Sequence, residues 1–203
     1  NARPGYSFVG EEGGKIEGSD QSHTWFVDPL DGTTNFLHGL PHFAISIGLE
    51  REGTLVAGLV LNPVSDELFL AERGKGAFLN DRRIRVAARQ NMGEAVLACG
   101  LPHYGRGDLD LFRREFSVIQ DKVAGLRRFG AASLDLAFVA AGRFDLYWER
   151  NLSSWDMAAG TLIVREAGGF VTDLDDKDEM FAKGHIAAGN PVLHGELLKI
   201  LKE

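Results

Sequence analysis

The sequence predicts a mixed α/β fold, in which a mainly antiparallel sheet comes first and alternating strands and helices follow it. Between residues 41 and 86, short runs of alternating apolar and polar side chains are separated by turn residues, as in a β-meander. From about Ala95 onwards, short apolar runs alternate with longer segments of helical periodicity, which is typical of α/β folds. We therefore divide the chain into a first part, residues 1–94, and a second part, residues 95–203.

The first part is organised around the stretch WFVDPLDGTTNF, residues 25–36. Its first three residues are aromatic or β-branched and predict a short buried strand. We expect this strand to end at Asp28, because Pro29 has no backbone N–H to donate. A strand over residues 6–10 precedes it, and the polar, glycine-rich residues 13–22 predict a mobile loop. Further strands are predicted over residues 41–50, 54–61, 67–71, 77–79 and 82–86.

The second part contains four predicted strands and four predicted helices. The strands are predicted at 95–99, 144–148, 170–172 and 186–188, and a loop is predicted over 100–107. The helices are predicted at 108–123, at 131–141, from Ser153 or Ser154 to Glu166, and after Asn190. Glycines end the second and third of these helices, and Pro191 suits the first turn of the last one.

Composition narrows the functions that the chain could have. The net charge of −7 argues against nucleic acid as the main partner, because phosphate backbones are bound by clustered Lys and Arg. The single cysteine, Cys99, excludes an intrachain disulfide and fits a reducing compartment, so we expect a cytoplasmic protein. No apolar run approaches the roughly 20 residues of a membrane helix, and no HxH or HExxH spacing indicates a zinc site.

Asp28 and Asp31 stand three positions apart in a turn that Gly32 allows to be tight. Two carboxylates held close together repel each other unless a positive charge lies between them. Mg²⁺ suits such a site, because it takes oxygen ligands from a few carboxylates together with substrate phosphate. The backbone N–H groups of residues 32–34 would suit a phosphate oxygen. The alternative is an Asx turn, in which the carboxylates bind only the backbone.

Glu149 and Asp156 form a second pair of acids. Glu149 comes at the end of a predicted strand, and Asp156 lies in the first turn of the following helix. An acid at that position also interacts well with the helix dipole, which is a sufficient structural explanation for Asp156. Because ligands of open α/β sheets gather beyond the carboxyl ends of the strands, both acids could instead face the first pair across a crevice.

These segments resemble a known family. WFVDPLDGTTNF is followed by PHFAISIGL and, further along, by SSWDMAAGTLIVREAGG. In this order and separation they resemble the inositol monophosphatase family of Mg²⁺-dependent, Li⁺-sensitive phosphatases, and the resemblance extends from Gly10 to Pro191. It implies a layered αβαβα sandwich, a homodimer, and an enzyme that uses two or three Mg²⁺ ions.

The resemblance also implies a role for each matching residue. Glu11 would bind metal and help to activate the attacking water, while Thr33 would bind phosphate and orient that water. The implied catalytic residues are Glu11, Asp31 and Thr33. The implied metal ligands are Glu11, Asp28, the backbone carbonyl of Leu30, Asp31 and Asp156. The implied substrate-binding residues are Asp31, Gly32, Thr33, Gly130, Ala131, Ala132, Glu149 and Asp156.

The motifs identify the reaction better than the substrate. We expect Mg²⁺-dependent hydrolysis of myo-inositol 1-phosphate or a similar small phosphate monoester. Phosphatases for fructose 1,6-bisphosphate, histidinol phosphate and 3′-phosphoadenosine 5′-phosphate share the metal motifs, and Ala131 replaces a hydroxyl residue of some relatives. A non-catalytic Ca²⁺-binding module is the alternative from another class, although no EF-hand spacing is present. Two helices usually precede Gly10 in this family, and we expect them upstream of Asn1.

Overall fold

The computed structural model describes residues 3–102, 105 and 107–202, and within them thirteen strands form two sheets and six helices are present. The strands are β1 (Tyr6–Gly10), β2 (Gly14–Ile16), β3 (Asp20–Asp31), β4 (Ala44–Arg51), β5 (Thr54–Asn62), β6 (Glu67–Glu72), β7 (Gly76–Leu79), β8 (Arg82–Ile84), β9 (Val96–Cys99), β10 (Gly125–Arg127), β11 (Leu146–Arg150), β12 (Phe170–Thr172) and β13 (His185–Gly189). The helices are α1 (Thr33–Leu37), α2 (Leu109–Gln120), α3 (Ala132–Ala140), α4 (Ser154–Glu166), α5 (Met180–Lys183) and α6 (Pro191–Ile200). The mixed α/β class predicted from the sequence is confirmed. None of the helices in these ranges is both long and apolar enough to cross a membrane.

The first sheet has eight strands in the order β2-β1-β3-β4-β5-β6-β7-β8 and is antiparallel except for the parallel pair β1 and β3. The second sheet has five strands in the order β10-β9-β11-β13-β12. Its strands β10, β9 and β11 run parallel, whereas β13 and β12 are antiparallel to their neighbours. The carboxyl ends of β9, β10 and β11 therefore lie at one edge of the second sheet.

The helices separate the sheets into layers. Helices α3 and α4 and one hydrophobic cluster lie between the two sheets, and α2 and α6 pack with a second cluster on the far face of the second sheet. These are four layers of the expected αβαβα sandwich, and the described residues do not form an outer helical layer on the first sheet. Both sheets contribute residues to the hydrophobic cluster between them. The division of the chain into two parts at residue 94 therefore stays a prediction.

Strand β3 is longer than predicted, and the expected end at Asp28 is wrong. Asp28 pairs with Ser46 and Asp31 pairs with Ala44, so β3 has one more residue than β4 across this interval. The extra residue makes a bulge, and a bulge accommodates Pro29 because it removes the need for a regular ladder bond there. The two acids are thus held by a sheet and not by a free turn.

Other segments also differ from the sequence prediction. The predicted mobile loop over residues 13–22 is wrong, since β2 pairs with β1 and β3 already begins at Asp20. Strand β10 and helix α5 were not predicted, because each has only three or four residues and no clear periodicity. Residues 103, 104 and 106 of the predicted loop over 100–107 lie outside the described residues.

Asn190 caps helix α6, since its side chain accepts hydrogen bonds from two backbone N–H groups of the first turn.

Helix α4 lies unusually close to the first sheet because small residues face each other. A Cβ atom placed on Gly48 would be 2.8 Å from the Cβ of Ala158, and one placed on Gly58 would be 2.8 Å from the carbonyl oxygen of Ala159. Real Cβ atoms essentially never approach so closely. The glycines of the sheet are therefore needed for this packing, which carries the first turn of α4 to the bulge in β3.

We predict that Gly58→Ala lowers the free energy of unfolding by about 1–3 kcal/mol, because overpacking against the α4 backbone forces the sheet and helix apart. Gly195→Ala is the matched control. Gly195 lies in α6, where an added methyl group would meet no other atom within 4 Å, so alanine should stabilise by up to about 1 kcal/mol. Urea unfolding measures both variants, and equal effects would contradict the close packing.

Candidate active site

A cavity of about 570 Å³ opens where the bulge of β3 meets the carboxyl ends of β9 and β11. Ten of the eleven residues predicted to form the site line it, although they come from distant parts of the chain. They are Glu11, Asp28, Leu30, Asp31, Gly32, Thr33, Gly130, Ala132, Glu149 and Asp156. The fold therefore brings the two predicted pairs of acids to one cavity, while the individual roles stay predictions.

Asp28 and Asp31 point into the cavity from the bulge and are almost fully buried, with 3% and 8% of their surfaces exposed. The Asp28 Oδ1 atom accepts a hydrogen bond of 2.8 Å from the backbone N–H of Leu30. This is the local bond expected of an Asx turn, so the structural interpretation is correct for one oxygen of Asp28. It does not account for burying two acids side by side, which is costly without a cation.

Asp31 also binds the beginning of α3. Its Oδ2 atom accepts one bond of 2.7 Å from the backbone N–H of Ser133 and another of 2.5 Å from the Ser133 hydroxyl. The N-cap residue of α3 is Ala131, whose side chain cannot satisfy the free N–H groups of the first turn. Asp31 therefore acts as the cap of a helix that begins about 100 residues later, and this bond joins the two sheets at the cavity.

Glu11 reaches the same cavity because β1 runs parallel to β3. Gly10 pairs with Val27, and the backbone N–H of Glu11 donates to the Val27 carbonyl over 3.4 Å. This pairing places Glu11 beside Asp28, directly after the carboxyl end of β1. In contrast to the two buried aspartates, Glu11 is exposed to solvent.

The turn after the bulge begins helix α1. Gly32 is its N-cap and has φ of 87°, a left-handed conformation that glycine adopts without strain. The Thr33 hydroxyl donates to the Leu30 carbonyl over 2.9 Å. A carbonyl oxygen has two lone pairs, so this bond leaves one lone pair of Leu30 for another ligand. The helix itself begins at Thr33.

Asp156 reaches the cavity from the first turn of α4. Its Oδ2 atom accepts a hydrogen bond of 2.7 Å from the backbone N–H of Ser153, the N-cap residue of that helix. This is half of a capping box, so the helix-terminus interpretation of Asp156 is confirmed. The same residue lines the cavity, and one oxygen can serve the cap while the other faces the other acids.

The cavity is also lined by Glu149 from β11, by Arg128, and by Gly130 and Ala132 at the start of α3, the helix that Asp31 caps. Ala131 is the one predicted site residue that does not line the cavity. Its side chain is buried, with 1% exposed, and it packs against Gly32. A contact between the substrate and the Ala131 side chain is therefore not supported, whereas the neighbouring backbone remains accessible.

Burial and mutual repulsion make the acids weak. Burial, followed by repulsion from Asp31, raises the pKa of Asp28 to about 8. Burial likewise raises the pKa of Asp156 to about 7, although the Ser153 N–H bond opposes the shift. The pKa of Asp31 is also raised by burial, against the effect of its bonds to Ser133. No Lys or Arg in the described part of the chain forms an ion pair with any of these three carboxylates.

These acids suit a hard divalent cation. They present oxygen donors only, they repel one another, and a cation would replace the protons that their raised pKa values favour. Among the described residues, no three His, Cys, Asp or Glu side chains converge closely enough to hold one ion by themselves. An ion there would therefore take further ligands from the Leu30 carbonyl, water and substrate, as Mg²⁺ commonly does.

Sequence reasoning missed three residues that support the cavity. Ser133 binds Asp31, Tyr147 donates from its hydroxyl to Glu149, and Asn35 donates over 2.7 Å to the Phe129 carbonyl, next to the cavity segment at Gly130. Tyr147 precedes Glu149 by two positions, and alternate residues of a strand share a face, so this contact had a signal in the sequence. The other two contacts join distant segments and had none.

Comparison with known proteins identifies the family. The family model described as the inositol monophosphatase family matches residues 1–203. The chain belongs to the inositol monophosphatase family. It is 56% identical to the inositol-1-monophosphatase of Mesorhizobium japonicum, over all of this chain and 76% of that protein. It is 50% identical to the Nus factor SuhB of Pseudomonas aeruginosa, over 99% of this chain and 76% of that protein.

A solved structure of this family has the same fold. The crystal structure of the extragenic suppressor protein suhB from Bartonella henselae matches with a TM-score of 0.97 and 53% identity, over all of this chain and 78% of that one. The predicted family and the predicted enzyme class are therefore confirmed, since members of the inositol monophosphatase family are phosphatases and generally depend on a metal.

We predict that the metal-free protein loses stability as the pH rises from about 4 to about 8. Asp28 holds its proton up to about pH 8 when folded, whereas an unfolded aspartate releases it near pH 3.9. Between these values the folded state binds more protons, so rising pH favours unfolding. Saturating Mg²⁺ should reduce this slope, because the cation replaces the proton.

Urea unfolding at several pH values, with chelator or with Mg²⁺, measures the slope. Asp28→Asn should flatten it in chelator. Asp110→Asn is the control, because Asp110 pairs with Arg113 on the exposed surface of α2 and should leave the slope unchanged. A slope that is the same in chelator, in Mg²⁺ and in Asp28→Asn would contradict this explanation.

Proposed function

We propose that this protein hydrolyses myo-inositol 1-phosphate, or a similar small phosphate monoester, with water and two or three Mg²⁺ ions, and that Li⁺ inhibits it. The observation that supports this proposal best is the convergence of Asp28, Asp31 and Asp156 on one cavity without a cationic partner in the described structure. Such a set of carboxylates suits metal-assisted hydrolysis. It does not require a cysteine or serine nucleophile.

The residues that line the cavity would divide the work between them. Asp28, Asp31, Asp156, Glu11 and the Leu30 carbonyl would hold Mg²⁺. When bound, Mg²⁺ lowers the pKa of a water ligand and neutralises charge on the attacking and leaving oxygens. Glu11 would accept the proton of the attacking water, and Thr33 would orient that water through its hydroxyl. Backbone N–H groups of Gly32 and Thr33 would bind phosphate oxygens.

Residues beside these acids would hold the alcohol part of the substrate. The whole cavity has a volume of about 570 Å³, which lies within the usual range for small-molecule sites. Glu149 offers a carboxylate that accepts hydrogen bonds from hydroxyl groups, and Gly130 and Ala132 leave room beside it. The relative that is 56% identical bears the name inositol-1-monophosphatase, which favours an inositol phosphate over the other substrates of related enzymes.

A substrate panel separates the remaining alternatives. Fructose 1,6-bisphosphate, histidinol phosphate and 3′-phosphoadenosine 5′-phosphate should give lower kcat/KM values than myo-inositol 1-phosphate, with and without Li⁺. Tight Ca²⁺ binding by calorimetry, together with no phosphate release from any compound, would favour the non-catalytic binding module instead.

We also propose that the protein forms a homodimer in the cytoplasm. Helix α1 and the turn after it expose three large apolar side chains, Phe36, Leu37 and Leu40, which are 49%, 75% and 53% exposed. Adjacent apolar side chains at the surface are typical of contacts between subunits. Light scattering of the purified protein measures the mass in solution, and a monomer at micromolar concentration would contradict the homodimer.

We predict that Asp31→Asn lowers kcat for myo-inositol 1-phosphate by at least about 100-fold, because the amide cannot supply the negative charge that holds the metal. The side-chain oxygen of Asn can still accept the hydrogen bonds from Ser133, so α3 keeps its cap and the protein should still fold. Phosphate release at saturating Mg²⁺ measures the effect. Asp110→Asn on the exposed face of α2 is the control and should retain wild-type turnover. Wild-type turnover in Asp31→Asn would exclude the assigned role.

A further inference from the structure

Tyr147 is the second residue of β11 and has no exposed surface, yet it carries a polar hydroxyl. That hydroxyl donates a hydrogen bond of 2.5 Å to the Oε2 atom of Glu149. Burial raises the pKa of Tyr147 well above its ordinary value, so the phenol keeps its proton and Glu149 is the acceptor. A phenylalanine would fill the same space, so packing alone does not explain the hydroxyl.

Gly100 limits Glu149 on another side. A Cβ atom placed on Gly100 would lie 1.8 Å from the carboxyl carbon of Glu149 and 2.0 Å from its Oε1 atom. Any side chain at position 100 would therefore occupy the space of the carboxylate. The backbone N–H of Gly100 donates to the Trp148 carbonyl, which keeps the end of β9 against β11.

Together these two residues leave Glu149 little freedom. One carboxylate oxygen accepts a hydrogen bond from the buried Tyr147 hydroxyl. The carboxylate also lies against Gly100, where it fills the space that a side chain would occupy. Glu149 still lines the cavity, so the carboxylate is presented to a ligand in one orientation. A preset acceptor binds a hydroxyl group better than a mobile one, because less conformational entropy is lost on binding.

We propose that Tyr147 and Gly100 are positioning residues that set the preference of this enzyme for phosphate esters whose alcohol part carries hydroxyl groups. This inference rests on the proposed phosphatase function and on the proposed contact of Glu149 with the alcohol part of the substrate. Tyr147 does not touch the metal-binding acids through any hydrogen bond in the described structure, so its effect concerns the alcohol and not the hydrolysis itself.

Two substrates test this inference. Myo-inositol 1-phosphate has hydroxyl groups on its alcohol part, whereas 4-nitrophenyl phosphate has none. In Tyr147→Phe, KM for myo-inositol 1-phosphate should rise and its kcat/KM should fall by about five- to tenfold, the size of one ordinary hydrogen bond. The kcat/KM for 4-nitrophenyl phosphate should stay within about twofold of wild type.

A double-mutant cycle makes the test specific. Glu149→Leu removes the acceptor, so adding Tyr147→Phe to it should not reduce the preference for myo-inositol 1-phosphate any further. Tyr6→Phe is the matched control, since Tyr6 stacks on His23 with ring centroids 4.2 Å apart and does not line the cavity. It should leave both substrates unchanged.

Gly100→Ala provides a second variant that does not depend on Tyr147. Its methyl group should displace the Glu149 carboxylate and reduce the preference at least as much as Tyr147→Phe. Equal losses for both substrates, or an unchanged ratio in both variants, would overturn the inference while leaving the proposed function standing. A wild-type protein that hydrolyses neither substrate would instead reject the proposed function, and this inference with it.

Discussion

The hydrogen bonds between Asp31 and Ser133 connect the two sheets at the cavity, and the arrangement of the other acids depends on them. Asp31 belongs to the first sheet, and Ser133 begins a helix that packs between both sheets. A buried carboxylate without donors would destabilise the protein, and a helix start without a cap would leave N–H groups unsatisfied. The Asp31 carboxylate accepts the hydrogen bonds that the start of α3 has to donate. The contact that connects the two sheets at the cavity therefore also stabilises the fold.

The remaining acids are tolerated for similar reasons. Asp28 and Asp156 each accept a backbone N–H bond with one oxygen, from Leu30 and Ser153. Burial and repulsion still keep their pKa values high, which is an electrostatic cost that a bound divalent cation would remove. Such a cation would therefore couple metal binding to stability, and the cost of burying the acids together would contribute to the affinity for the cation.

Much of this arrangement could be predicted from the sequence, because the relevant signals are local. Alternation, turn residues and helix caps predicted the meander and helix α4, and the acids stood out by their spacing. The bulge at Pro29 could not be predicted, since it depends on the register between β3 and β4. Strand β2 is fully exposed and shows no apolar alternation. The contact between Asp31 and Ser133 joins residues too far apart for any periodic pattern.

Asp28, Asp31 and Asp156 are held by different interactions from Glu149, and this difference has a consequence for the proposed specificity. These three aspartates are oriented mainly by backbone N–H groups, which are present whatever the neighbouring side chains are. Glu149 is oriented by the Tyr147 hydroxyl and by the absence of a side chain at Gly100. Single substitutions next to Glu149 would therefore change the proposed alcohol site and leave the three aspartates in place. On the proposed assignment, this difference would explain in physical terms why motifs around the acids indicate the reaction, whereas the preferred alcohol has to be sought in residues outside those motifs.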